Sequence, residues 1–137
     1  MRNWRIQSSH AAAMLALVLL LAACGAPAAP EGMVIQRQQV DQLMIELALP
    51  ARPLVSSEQP AIVTLADARG PVDGAEVWLE LIMPSMDMST NQPDAIGQQA
   101  GRYRSTVLFT MVGAWNLDVH AVVAGQEYVA RFYTETH

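Results

Sequence analysis

Cysteine is almost absent from this 137-residue chain, which contains Cys24 and no second one. An intramolecular disulfide is therefore excluded. Residues 24–137 are nevertheless enough for one domain that buries a core without such support.

Lysine is missing altogether, since all eight basic residues are arginine. Two of them, Arg2 and Arg5, precede an apolar run near the start of the chain. The residues after position 23 carry six basic against 13 acidic side chains, a net charge of −7. This balance disfavours binding to nucleic acid and provides no basic patch for anionic lipid headgroups.

Long apolar runs are lacking after Cys24, where no stretch reaches the roughly 20 residues of a membrane-spanning helix. Before it, a basic start, an apolar run and a small-residue exit are typical of a secretory signal peptide. The exit, Leu21-Ala22-Ala23-Cys24, resembles the lipobox of bacterial lipoproteins. That resemblance implies cleavage before Cys24 and lipidation of its sulfur, with palmitate as a typical acyl chain.

The chain divides into three predicted segments: a lipoprotein signal peptide (1–23), a lipidated cysteine with a Pro/Ala-rich tether (24–34), and one folded domain (35–137). Alternating proline and alanine favour an extended, semi-rigid tether. We expect lipid to hold the protein on the cell membrane or outer membrane, with the domain facing the periplasm or the cell exterior.

Period-two alternation of apolar and polar residues dominates the predicted domain. It is clearest where Val77, Leu79 and Leu81 alternate with Trp78 and Glu80. Similar stretches occur at 43–49, 61–67, 103–109, 115–123 and 128–134. These strands, joined by Gly/Pro turns, predict an all-β fold: an immunoglobulin-like antiparallel β-sandwich of six or seven strands. Residues 84–100 lose the alternation and are predicted to form a long loop, a type of segment that often carries function.

Three methionines, Met83, Met86 and Met88, stand close together where the clearest strand meets this loop. A thioether is a soft, uncharged ligand that selects Cu(I) over hard cations. If residues 86–88 are extended, two of the sulfurs lie on one side, about 6.6 Å apart along the chain. Flexible methionine side chains can converge from there on one ion.

Packing accounts for the same residues equally simply. Met83 has the inward phase of its strand and fits a core position. Met86 and Met88 are suited to cap the open end of the sandwich or to contact another protein.

Two more residues are candidates to complete a copper site if the fold brings them near. His120 is the only histidine inside the predicted strands and lies on an outward face, while Met111 lies in a predicted turn. The alternative for His120 is an exposed histidine without a role, beside Asp118.

Signals for catalysis are missing. The chain has no G-x-S-x-G motif, no phosphate-binding glycine loop and no dinucleotide fingerprint. A catalytic zinc site needs about three protein ligands around an open position. With Cys24 assigned to lipidation and His120 the one candidate histidine, the sequence does not offer such a set. Glu76 and Glu80 lie on the predicted solvent side of a strand, where solvation explains them. We therefore expect no enzymatic activity.

The order of several short motifs resembles the YtkA-like domain family, a relative of the FixH group, over roughly residues 38–132. The motifs are Met83-Pro84-x-Met86-x-Met88, Gly101-x-Tyr103, and Phe109-x-Met111-x-Gly113-x-Trp115. The resemblance implies a small β-sandwich outside the cytoplasmic membrane, often on a lipoprotein. It also implies an association with copper handling and cytochrome oxidase assembly, with the methionine motif as the metal-binding element.

Two hypotheses follow. In the first, a lipid-anchored domain binds Cu(I) weakly through Met86 and Met88, with Met83, His120 and Met111 as further candidate ligands. Its partner would be a copper protein or an oxidase assembly factor. In the second, the domain is a non-metal interaction module of an envelope complex, and the methionines form an adaptable apolar surface.

Overall fold

The computed structural model of the protein describes residues 30–86 and 88–137, without the side chains of residues 88–90. The predictions made for the signal peptide, for Cys24 and for residues 24–29 of the tether lie outside this part of the chain. Within these residues, no helix has the length and hydropathy needed to cross a bilayer.

Strands make up about two thirds of the described residues, which confirms the all-β class predicted from the alternation. The strands are β1 (Met33–Val40), β2 (Leu43–Pro50), β3 (Glu58–Asp67), β4 (Gly70–Pro71), β5 (Glu76–Met83), β6 (Met88–Asn91), β7 (Asp94–Gly97), β8 (Arg102–Leu108), β9 (Gly113–Val123) and β10 (Gln126–Thr136). The one helical element among the described residues is a 3-10 turn at Pro84–Met86.

The strands form a nearly closed antiparallel sandwich, in the order β1-β2-β3-β8-β7-β5-β9-β10. One layer contains β1, β2, β3 and β8, and the other contains β5, β9 and β10. The short strand β7 joins them, since Ala95 pairs with Val77 of β5 and Ile96 pairs with Arg104 of β8. The predicted immunoglobulin-like antiparallel sandwich is thus confirmed at the level of its architecture, but the described residues form ten strands instead of the six or seven predicted.

On the opposite side, a side chain connects the two layers where β1 and β10 approach each other. The Gln36 Nε2 donates a hydrogen bond to the Tyr133 carbonyl oxygen at 2.8 Å. The Tyr133 N–H points back at the Gln36 Oε1, 3.4 Å away. The Gln36 amide thereby makes the hydrogen bonds that one backbone pair of a ladder would make. These bonds bring β1 and β10 together and nearly close the sandwich.

The prediction of one long loop at 84–100 is wrong, because β6 and β7 lie inside it. Their backbones pair with the end and the start of β5, and the Leu79 N–H donates to the Pro93 carbonyl at 3.0 Å. Strands this short show no detectable alternation. The strand β1 is also absent from the prediction, since four of its eight side chains are polar and none is fully buried.

The core is centred on three fully buried aromatic side chains, Tyr103, Phe109 and Trp115. Phe109 and Trp115 pack edge to face, with ring centroids 5.5 Å apart. The polar atoms of these rings are satisfied, as large buried aromatics require. The Trp115 Nε1 donates to the Met111 carbonyl at 3.1 Å, and the Tyr103 hydroxyl donates to the Val72 carbonyl at 2.8 Å.

Gly101 lies where two backbone segments approach each other closely. Its φ is +70°, and an added Cβ would lie 2.3 Å from the Leu65 carbonyl oxygen. The Leu65 N–H donates to the Gly101 carbonyl at 2.8 Å, and the Gly101 N–H donates to the Asp73 Oδ1 at 2.7 Å. Glycine is therefore required here for space as well as for backbone conformation.

We expect Gly101→Ala to destabilise the fold more than Gly125→Ala, the matched control. Both glycines have positive φ, but nothing lies within 4 Å of a Cβ on Gly125. The control should lose about 1–2 kcal/mol of unfolding free energy, because alanine is strained in the left-handed conformation. Gly101→Ala should lower the unfolding free energy by roughly a further 1–3 kcal/mol, because its Cβ overpacks the Leu65 backbone. Urea unfolding of both variants measures the difference, and equal losses would contradict the close approach.

Candidate functional site

The strand β5 ends in a core methionine. Met83 is 4% exposed and packs within the buried cluster. A Cβ on Gly113, at the start of β9, would lie only 3.1 Å from the Met83 Cε. The side chain therefore fills the interior at this end of the sandwich, as its alternation phase predicts.

The chain turns immediately after this buried residue. Pro84 has no N–H to continue the ladder, and Pro84–Met86 forms the 3-10 turn. Met86 is 47% exposed. Met88 begins β6, where its backbone pairs with Met83, and its side chain is outside the described atoms. Met86 thus lies in a turn, not in the extended segment considered from the sequence.

Met111 belongs to the same end of the molecule. It lies just before β9, which the Pro84–Met86 turn contacts, and its side chain packs partly buried against the core. Its carbonyl oxygen accepts hydrogen bonds from the Trp115 Nε1 at 3.1 Å and from the Thr136 Oγ1 at 2.8 Å. We call this region, formed by the Pro84–Met86 turn, Met88 and residues 109–112, the methionine end.

The structure separates His120 from the methionine end. Ile82, next to Met83, pairs with Asn116 of β9, while His120 pairs with Trp78. The two pairs are four residue steps apart along β9, a distance of about 13 Å. His120 also projects from the outer face of its layer, whereas Met83 projects into the core. The structure therefore brings together the residues Met83, Met86, Met88 and Met111 but not His120.

His120 has a well-defined environment of its own. Its ring stacks on Trp78, with centroids 4.8 Å apart and planes 10° from parallel. The Nδ1 atom lies 2.8 Å from the Glu127 Oε1, and the Nε2 atom lies 3.7 Å from the Glu80 Oε2. Only 17% of the side chain is exposed, so the interpretation of His120 as an exposed residue is wrong.

Asp118 and Arg131 form an ion pair beside this histidine. The Arg131 Nε and Nη2 donate to the two carboxylate oxygens of Asp118, both at 2.7 Å. These hydrogen bonds, and secondarily the charges of Asp118 and Glu80, raise the pKa of the Arg131 guanidinium above its ordinary value. The Asp118 side chain is 9% exposed and the Arg131 side chain 60%.

Ligand atoms of Glu80, Asp118 and His120 all lie within 4.8 Å of one another. We call these three residues the face cluster. Sequence reasoning missed it because Glu80 was assigned to solvent. The signal available was the outward phase of Glu80 on β5 and of Asp118 and His120 on β9. The outward orientation of these residues shows that they lie together only once β5 and β9 are known to pair in this register.

Comparison with known families assigns the domain. The YtkA-like family model matches residues 37–120, more than half of the chain, from β1 to His120. No curated protein matches the chain in a sequence search. The resemblance found in the motifs is confirmed by this match, and the chain belongs to the YtkA-like family.

Proposed function

We propose that this protein is a lipid-anchored envelope protein whose YtkA-like domain binds Cu(I) weakly at the methionine end and passes it on. The observation that carries the proposal is the exposure of Met86, 47%, in the turn directly after a strand that ends in the core. An exposed thioether on a rigid support is available to a soft ion without any unfolding of the domain.

The ligands we propose are Met86 and Met88, with Met111 as a third. Thioethers select Cu(I) and remain uncharged at any pH near neutrality. Met83 is left out because its side chain is buried in the core, and His120 because it lies on the outer face about 13 Å along β9. A site of two or three flexible thioethers favours weak binding and rapid exchange over permanent retention.

The position of the tether supports a role in transfer at a membrane. Residues 30–32 lead into Met33, which pairs with Pro50, and the Ala51 N–H donates to the Gly32 carbonyl at 2.8 Å. The strand register places this entry point at the same end of the sandwich as Phe109 and Gly113. An anchor at Cys24 would therefore keep the methionine end within about 25 Å of the bilayer.

This placement suits a membrane-bound acceptor. A copper protein or an oxidase assembly factor at the membrane would meet the methionine end first, and exchange of thioether ligands would move the ion between them. The function proposed is binding and transfer of the metal without catalysis.

We expect the double variant Met86→Leu, Met88→Leu to weaken Cu(I) binding by at least about tenfold, or ~1.4 kcal/mol. Leucine keeps the volume and apolar character of methionine but removes the sulfur. The measurement is a competition titration against a colorimetric Cu(I) chelator. It uses the full chain in detergent with Cys24→Ser in every sample, so that no thiol contributes.

The matched control for this titration is Met44→Leu. Met44 lies in β2 opposite Ala66, at the other end of the sandwich, and its substitution should leave Cu(I) affinity unchanged. An affinity that is the same in the double variant and in the parent would reject the methionine end as the copper site.

The anchor gives a separate prediction. Cells supplied with labelled palmitate should incorporate it into the parent protein, and Cys24→Ser should abolish the label because the only sulfur that can be acylated is removed. The tether variant Ala28→Ser should be labelled like the parent. Labelling that persists in Cys24→Ser would show that the lipid is attached elsewhere.

A second candidate function, protein binding without metal, is favoured by a different observation. Two exposed apolar side chains lie at the methionine end, Met86 (47%) and Val112 (63%), and a third, Leu54 (58%), lies beside it, next to the Val55–Phe109 bridge. Apolar side chains grouped at one end of a small domain are typical of a protein contact.

If contact with a protein is the function, Val112→Glu should release a partner that copurifies with the parent from detergent-solubilised membranes. The control Ile96→Glu changes an equally exposed apolar residue, 76%, on β7 and should retain the partner. The same preparations should show no Cu(I) binding above that of the Met86/Met88 double variant. Retention of the partner by Val112→Glu would exclude this surface.

A further inference from the structure

We propose that the face cluster of Glu80, Asp118 and His120 binds a divalent transition-metal ion such as Zn²⁺. The cluster lies on the outer face of the β5–β9–β10 layer, away from the methionine end. Its chemistry is that of nitrogen and oxygen ligands rather than thioethers, so the proposal is independent of Cu(I) binding.

The first argument is an unpaired ring nitrogen. The His120 Nε2 is buried and has no hydrogen-bond partner among the described residues. The opposite ring atom, Nδ1, lies 2.8 Å from the Glu127 Oε1, and an ionised carboxylate can only accept a hydrogen bond. Nδ1 must therefore carry the proton, and in the neutral ring the lone pair resides on Nε2. This pattern, a carboxylate that fixes the tautomer of a histidine, is the one that metal-binding histidines use.

The second argument is the separation of Nε2 from the Glu80 Oε2, which is 3.7 Å. A lone pair and a carboxylate oxygen repel each other at that distance unless a positive charge lies between them. Two zinc–ligand bonds of about 2.1 Å at a tetrahedral angle hold their ligand atoms roughly 3.4 Å apart. A shift of a few tenths of an ångström would therefore place both atoms around one ion.

The third argument is the rigidity of the supporting strands. Trp78 pairs with His120 and Glu80 pairs with Asp118 across the β5–β9 ladder. These are successive pairs on the outer face, so the three cluster residues lie side by side there. Stacking on Trp78 fixes the plane of the imidazole. The Gln92 Nε2 donates to the Glu80 Oε1 at 3.2 Å, which leaves the Oε2 facing His120.

Charge also favours a cation at this position. Glu80, Asp118 and Glu127 bring three carboxylates to the surroundings of His120, and Arg131 is the cation that faces them. With a neutral imidazole the local charge is −2, which a divalent ion would neutralise. Arg131 occupies both oxygens of Asp118, but its side chain is 60% exposed and can turn into solvent when the ion enters.

The test is a calorimetric titration of the full chain with Zn²⁺ near neutral pH, in detergent and with Cys24→Ser in every sample. Zinc is chosen because its protein ligands are histidine nitrogen, carboxylate oxygen and cysteine thiolate, which the neutral thioethers of the methionine end do not supply. We expect Glu80→Gln and His120→Asn each to weaken Zn²⁺ binding by about tenfold or more. Asparagine can keep the hydrogen bond to Glu127 while removing Nε2, and glutamine can keep the one from Gln92.

The matched control is Glu76→Gln, an exposed carboxylate on the same face of β5. Its Zn²⁺ affinity should equal that of the parent. Far-UV circular dichroism shows whether each variant is folded, and Glu80→Gln decides the result if His120→Asn does not fold. Equal affinities in the parent, Glu80→Gln and Glu76→Gln would overturn the proposal.

Arg131→Gln supplies a result of opposite sign. Removal of the guanidinium frees both oxygens of Asp118 and takes a positive charge away from the ion. Zn²⁺ should then bind about two- to fivefold more tightly, the effect of one part-exposed charge. A purely structural role for the cluster predicts no tightening, so unchanged or weaker binding in this variant would count against the site. The Met86/Met88 double variant should bind Zn²⁺ like the parent, which separates this proposal from the Cu(I) proposal.

Discussion

The antiparallel pairing of β5 with β9 is the interaction on which the rest of this structure depends. One register, with Val77 opposite Ala121 and Leu81 opposite Leu117, turns two apolar rows towards the β2–β3–β8 layer. A slip of one residue would exchange the inner and outer faces of one strand relative to the other. If β5 were the strand inverted, its buried row, which ends in Met83, would be exposed to water, and Trp78 would face the core, away from His120. The fully buried residues Leu79, Leu81, Leu117 and Val119 make such a slip very costly.

The same register places two different sets of polar or polarisable side chains at separate positions of the β5–β9–β10 layer. Soft sulfur atoms collect at the end of β5, where Pro84 stops the ladder and the chain must turn. Nitrogen and oxygen ligands collect on the outer face, where Trp78, Glu80, Asp118 and His120 alternate with core residues. The outer-face group lies on paired strands, and Met86 and Met111 lie in short connections between strands. In both proposed sites little conformational entropy would be lost on binding. The Arg131–Asp118 pair partly neutralises the charge of the outer face.

Prediction from sequence succeeded where a strand has one solvent-exposed face and one buried face. The alternation of β5 and β9 identified their inward residues, including Met83 and Trp115, and Gly/Pro turns marked most strand ends. It failed for β6 and β7, because strands of four residues are held by backbone pairing with β5 and β8 and carry no periodic signal. It failed for β1 as well, whose polar side chains lie at the gap beside β10. The proximity of Met111 to the Pro84–Met86 turn also depends on pairing between residues far apart in the chain.

The amino-acid sequence by itself determined the class of fold, the inward row of each long strand, the methionine motif and the family, because all of these are expressed in local residue spacing. Only the tertiary structure decided that Met86 is exposed, and that His120 belongs with Glu80 rather than with the methionines. It also placed Met33, at the start of β1, at the methionine end. The physical reason is that strand register is set by the joint burial of side chains from both layers, which no single segment specifies.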